Sequence, residues 1–213
     1  MGSFASRFPR LDEYLRKLPD GVDSYPDAQI KASLYRAALD TRPLDDVAHE
    51  LPPPVADLIV TPRLMSSWTP SVPALCVFLA IFDRYEFDEA RFRIWSEHAQ
   101  TALFGSALYR ALLSVLSPNQ LLAGVRKRWG TFHRGTEIAM RETSAFSVEV
   151  TLTHPPDLYA RPNLLGIAGG LVAAGKLSRA KAVNARLALM TSTEARFDID
   201  WHVARQDRDA TTT

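Results

Sequence analysis

Between Arg126 and Val203 the chain falls into short stretches where apolar and polar residues alternate one for one, and this pattern constrains the fold most. Phe146, Val148, Val150 and Leu152 alternate with Ser147, Glu149, Thr151 and Thr153. Phe197, Ile199, Trp201 and Val203 alternate with Arg196, Asp198, Asp200 and His202, and Val183, Ala185, Leu187 and Leu189 supply another such run. A period of two with one apolar face marks a half-buried antiparallel strand. A further strand is predicted around Thr136 to Arg141, joined to the Phe146 strand through Glu142-Thr143-Ser144 as a hairpin. Thr191 to Glu194 makes the second turn, and Asn163 to Ala174 reads as a helix between the two pairs. The order is β-β-α-β-β. One-faced strands must cover something, and the upstream helices are the available partner. The predicted class is therefore α+β, a helical N-terminal half packed with a C-terminal four-stranded antiparallel sheet.

The upstream half reads as helix throughout. Leu11 to Leu18 is a short amphipathic piece, and a helix from Pro26 to Leu39 carries Ile30, Leu34 and Ala38 on one face. Prolines at 43, 52, 53, 54, 62 and 70 leave room only for short helices. Thr69-Pro70 is a predicted helix start, with threonine as cap and proline at the first helical position. The helix that follows, to Arg84, is apolar almost all round, so it should be central. Asp88 caps the next helix, with Phe87 and Phe92 as a hydrophobic staple, and Gly105 stops it. A short helix carries Leu108, Leu112 and Leu116. Ser117-Pro118-Asn119-Gln120 launches another, whose inner face is Leu121, Leu122, Val125, Trp129 and Phe132. The expected division is an N-terminal extension over residues 1–25, one domain over 26–206, and a flexible tail over 207–213.

Composition bounds the function. A chain of 213 residues with 46% hydrophobic content builds one substantial core. A net charge of +1 gives no long-range pull on nucleic acid or an anionic membrane. The single cysteine, Cys76, excludes an internal disulfide and fits a reducing compartment. The most apolar run, Val72 to Phe82, is too short to span a bilayer, and the N-terminus has no apolar core of signal-peptide length. MGSFAS matches the loose myristoylation pattern, one that chance often produces. These features predict a soluble cytoplasmic protein that binds no nucleic acid and has no membrane span.

No motif names a reaction. Gly170 to Lys176 matches the first seven positions of a phosphate-binding loop, but Leu177 stands where a hydroxyl is needed and the segment ends a helix. Gly175 as a helix cap with Lys176 beside the dipole accounts for both. The basic cluster Arg126, Lys127, Arg128, His133 and Arg134 interleaves with Trp129 and Phe132; Arg128, His133 and Arg134 are the candidates for polar or anion contact. His49, His98, His133, His154 and His202 show no metal-ligand spacing. Cys76, inside the most apolar helix, reads as a small buried hydrophobe.

The segment LSPNQLLAGVRKRWGTFHRGTEI, with Trp68-Thr-Pro and Leu108-Tyr-Arg-Ala-Leu-Leu as weaker support, resembles a paralogous family of uncharacterised proteins abundant in myxobacteria. A helical half followed by β-β-α-β-β is similar to the fold shared by haem nitric-oxide-binding (H-NOX) domains, TRAPP vesicle-tethering subunits and 4-vinyl reductase domains. The resemblance implies an apolar ligand held between helices and sheet, or pairing through the helices, including a homodimer. It does not imply haem here, because the Tyr-x-Ser-x-Arg propionate motif is absent and no histidine has a matching context. No cofactor is expected.

The reading is a non-enzymatic module that senses a small apolar molecule or mediates protein contact in signalling or regulation. Its candidate ligand-binding residues are Phe78, Phe82, Trp95, Trp129 and Phe132. The alternative is an enzyme with a dispersed active site near His133, for instance with Glu149.

Overall fold

A computed structural model of the chain describes residues 4–105, 125–176 and 181–202. The expected Leu108 to Leu116 helix, the Ser117 cap, the Leu121 and Leu122 positions, Val203 and the 207–213 tail lie outside them. The architecture is α+β. In chain order the elements are α1 (Phe4–Arg7), α2 (Pro9–Lys17), β1 (Gln29–Lys31), α3 (Ala32–Thr41), α4 (Pro53–Val60), β2 (Trp68–Pro70), α5 (Ser71–Arg84), α6 (Glu89–Phe104), α7 (Val125–Phe132), β3 (His133–Arg134), β4 (Glu137–Ser144), β5 (Ser147–Thr153), α8 (Arg161–Lys176), β6 (Lys181–Met190) and β7 (Glu194–His202).

The larger sheet has the order β4-β5-β7-β6, antiparallel throughout, so the predicted β-β-α-β-β series is present. The alternation works as the period demands. Val148 stands opposite Ile199, Val150 opposite Phe197 and Leu152 opposite Ala195, and all six are buried. Glu149, between them, is opposite Asp198 and bonds Arg141 across the β4–β5 ladder. One detail moves. The first hairpin turns at Ala145-Phe146, two residues later than predicted, and Glu142, Thr143 and Ser144 extend β4. Phe146 is 52% exposed there, so the apolar face begins at Val148. The far end of this hairpin runs past the helices, and burial no longer distinguishes its two faces.

Helix α5 is the axis of the molecule. From Ser71 to Phe82 every residue is buried except Phe78. Its start differs from the expected cap: Thr69 and Pro70 belong to β2, which pairs with β1, and the helix begins at Ser71. Strand pairing claims these residues because the Ser71 amide donates to the Ala28 carbonyl and fixes the entry. β1 also pairs with β3, giving a small three-stranded sheet that the sequence does not announce, since strands of two or three residues carry no period. Asp88 caps α6 as predicted, accepting from the Arg91 amide at 2.7 Å, and Phe87 meets Phe92 edge-on at 5.8 Å.

Helix α8 lies between α6 and the sheet. Gly169 permits the crossing, because a Cβ there would stand 2.9 Å from the Glu97 amide nitrogen. The near phosphate-loop sequence, Gly170 to Lys176, is helical over its whole length, which removes the loop geometry nucleotide binding needs. Gly175 is not the predicted cap: it lies within α8, where Val183 of β6 would come within 2.8 Å of any Cβ. Lys176 pairs with Glu97. At the other end, α2 buries Leu11 and Tyr14, flanked by buried Phe8 and Leu18. Its first amides, Arg10 and Leu11, donate to Asp83 of α5.

Candidate apolar cavity between helices and sheet

The inner face of the sheet is not closed completely. A cavity of about 220 Å³ remains between it and α3, α5, α6, α7 and α8. Its wall is almost wholly apolar, with Phe78, Phe92, Phe104, Trp129, Phe132 and Trp201 among its aromatic members. Phe78 is the one partly exposed residue of the central α5 run because it faces this space.

The sequence-derived candidates divide into three groups. Phe78, Trp129 and Phe132 line the cavity, and so do Arg128 and His133. Phe82 and Trp95 stand behind the wall, packed on Phe92 at 5.1 and 5.2 Å; the Trp95 indole donates to the Thr41 hydroxyl. Arg134 faces outward, its guanidinium 3.9 Å over the exterior Trp68 ring, with a bond to Gln29. The end of α7 and the β3 strand that follows it thus send successive side chains to different sides, which explains why one basic cluster does not make one site. Glu149 and His133 do not meet either. Glu149 occupies the outer face of β5 with Arg141 and Arg196, while His133 lines the inner cavity.

The His133 ring lies flat on the Trp129 indole, centroids 3.7 Å apart and planes 5° apart. The indole N–H donates to the Thr136 hydroxyl at 3.0 Å. Burial pushes the His133 imidazole down to about 3, so it is neutral at ordinary pH and its Nδ1 has no hydrogen-bond partner in the protein. Two residues without a periodic signal also join the wall. Tyr159 is 2% exposed, its pKa pushed well up by burial; its hydroxyl leans toward Thr136 without closing a hydrogen bond of normal geometry. Ser96 of α6 is 3% exposed, and its hydroxyl is unpartnered too. By contrast Asn163 is satisfied, donating to the Leu75 carbonyl and accepting from the Ala160 amide. Tyr159 precedes α8 in the irregular stretch HPPDLYARP, and Ser96 looks like any helix serine, so only the fold brings them to the wall.

No carboxylate lines the cavity, and no grouping of three or more metal-ligating side chains exists among the described residues. Cys76 is fully buried and burial pushes its thiol well up, which keeps it protonated and unreactive. Such a site can hold an apolar molecule; it has little with which to move protons.

Comparison with family models gives no match, and comparison with curated proteins gives none. Among the described residues no helix is long and apolar enough to cross a membrane. Solved structures do share the fold. An H-NOX protein from S. oneidensis in the Fe(II) ligation state superposes with a TM-score of 0.59 at 9% identity, covering 83% of this chain and 98% of that one. An oxygen-binding H-NOX domain related to soluble guanylate cyclases gives 0.54 at 8% identity, covering 79% and 91%. The Fe(II) unliganded H-NOX protein from K. algicida gives 0.50 at 16% identity, covering 83% and 98%. The chain has an H-NOX-like fold.

Proposed function

We propose that this chain is a non-enzymatic cytoplasmic module that holds a small apolar molecule between its helices and its sheet, and passes on that occupancy as a signal through contact with a protein partner. The observation that carries the reading is the cavity itself. A void of about 220 Å³ walled by aromatic and aliphatic side chains is larger than the roughly 150 Å³ apolar cavity known to take benzene. It is smaller than the roughly 300–1,000 Å³ of sites for drug-sized ligands. The ligand is therefore of one or two rings, or a short chain. The likeness of the Leu116 to Ile138 segment to the uncharacterised myxobacterial family adds a lineage without adding an activity. The working unit is read as residues 26–206, with the first 25 residues as an extension, and self-pairing through the helices as one form of the protein contact.

A solved neighbour of the same fold is described by its haem and porphyrin distortion. The residues here do not suit that group. Haem iron needs an axial side chain reaching in over a four-pyrrole plate. Among the described residues the one imidazole in the cavity wall, His133, lies flat on Trp129 and does not point into the space. His98 of α6 is exposed. The enzymatic alternative finds no support in the site, because a histidine held near 3 is a poor base at neutral pH and Glu149 is on the other face of the sheet.

Native mass spectrometry of the protein purified from its own cell tests the reading. The expected result is a retained small molecule, lost on filling the cavity with Ala99→Leu while the melting temperature is kept. Protein that carries nothing, and takes up no apolar probe, overturns it. Saturable uptake of haemin with a defined axial-ligand spectrum would overturn the exclusion of haem.

A further inference from the structure

The apolar wall is interrupted by hydroxyls. Tyr159 and Ser96 are both buried to within a few per cent and both line the cavity; the Ser96 hydroxyl has no partner in the protein, and the Tyr159 hydroxyl closes no hydrogen bond of normal geometry, its neighbour Thr136 already accepting from the Trp129 indole. A buried hydroxyl without a partner is costly, and core positions with no polar task use phenylalanine or alanine instead. The neighbouring polar groups show the contrast, since Asn163 and the Trp129 indole are fully engaged within the protein. From these two hydroxyls we infer that the ligand of this cavity is not a pure hydrocarbon: it carries an uncharged hydrogen-bonding group, a hydroxyl or carbonyl, that engages Tyr159, with Ser96 as a second polar contact on α6. The inference rests on the binding reading proposed above.

Three observations fix the chemical class. The volume suits a ligand of about the size of a bicyclic ring. The tyrosine hydroxyl and the serine hydroxyl each donate and accept, so they match a neutral alcohol, phenol or ketone equally well. Among the described residues the cavity wall has no carboxylate to receive a cation, and its imidazole is neutral, so a charged group would be stripped of water with little return. Arg128 also lines the wall, and an anionic probe therefore belongs in the test.

The probes are naphthalene, 1-naphthol and 1-naphthoate, titrated into full-length protein and followed by calorimetry and thermal melting. The expected result is that 1-naphthol binds about five- to tenfold more tightly than naphthalene, although its hydroxyl makes it the less apolar molecule, as one net hydrogen bond implies. Tyr159→Phe should abolish that preference while naphthalene still binds. Without ligand, Tyr159→Phe should melt at or above the parent temperature, because the hydroxyl it removes is unpaired. Ser96→Ala should narrow the preference by a smaller factor. Equal binding of naphthalene and 1-naphthol, or a preference that survives Tyr159→Phe, overturns the inference and leaves the apolar site intact. Tightest binding by 1-naphthoate overturns the neutral class. If none of the three binds, the cavity reading itself fails, and the inference with it.

Discussion

His133 and Asp83 are two titratable side chains whose environments push them in opposite directions. Burial against Trp129 lowers His133 to about 3, and partial burial raises the Asp83 carboxyl to about 6 despite the two amides of α2 that it accepts. For His133 the unfolded chain, titrating near 6.5, binds the proton more readily than the folded one. Its contribution is therefore present above 6.5 and lost as pH falls toward 3. For Asp83 the folded chain binds the proton more readily, so stability is present below about 4 and lost as pH rises through 6. Between pH 4 and 6 the two slopes oppose one another. His133→Phe keeps a ring on Trp129 and removes one of them. The stability of the parent relative to this variant should fall by about 1.4 kcal/mol for each pH unit below about 6.5. Chemical denaturation at half-unit steps measures it, and comparison with the variant cancels the background from surface carboxylates. A flat difference would show a histidine that titrates as if exposed.

Among the elements, the α6–α8 crossing leaves little room for change. A Cβ on Gly169 would meet the Glu97 amide nitrogen at 2.9 Å and the Arg93 carbonyl at 3.2 Å, both backbone atoms that no rotamer can move. Gly169→Ala should therefore destabilise. The cost of overpacking, about 1–3 kcal/mol, exceeds the gain of about 1 kcal/mol from replacing a helical glycine. Gly130 of α7 has nothing within 4 Å of a Cβ, and there the same substitution should stabilise by about 0.5–1 kcal/mol. A pair of melting curves decides it; equal signs at the two glycines would refute the close contact. The sequence reading had Gly175 as a cap, and at this scale the reason is clear. Cap and close-contact glycines look alike in a sequence, and only the neighbour, here Val183, separates them.

For the molecule as a whole, the question is how much of the core is filled. Phe82 is buried among its neighbours, whereas Phe78 faces the cavity. Phe82→Ala should cost about 3–5 kcal/mol, and Phe78→Ala distinctly less, because part of its surface has no packing partner to lose. Equal losses in denaturant titrations would mean the core is packed alike at both. The four-stranded sheet and the central helix were legible because each residue in them is read by a period, two in the strands and all-round apolarity in α5. The cavity was legible only in half. Phe78, Trp129 and Phe132 declare an apolar face, but whether a face closes tightly depends on helix separations that no local pattern encodes. Tyr159 and Ser96 belong to no pattern at all. The small sheet was hidden by strand length, and the docking of α2 by distance in sequence.

That distance has a consequence for how the chain is made. Helix α2 is anchored by Asp83, 72 residues later at the Leu11 amide, and by the Leu158 carbonyl, which accepts the Tyr14 hydroxyl from 144 residues away. A ribosome adds about 5–20 residues per second, so Tyr14 waits roughly 7 to 30 s before its acceptor exists. Helix α2 is thus made long before the last of its anchors. During that interval Tyr14 is without its acceptor, and a pause in translation before Leu158 lengthens the wait without altering a single contact of the finished protein.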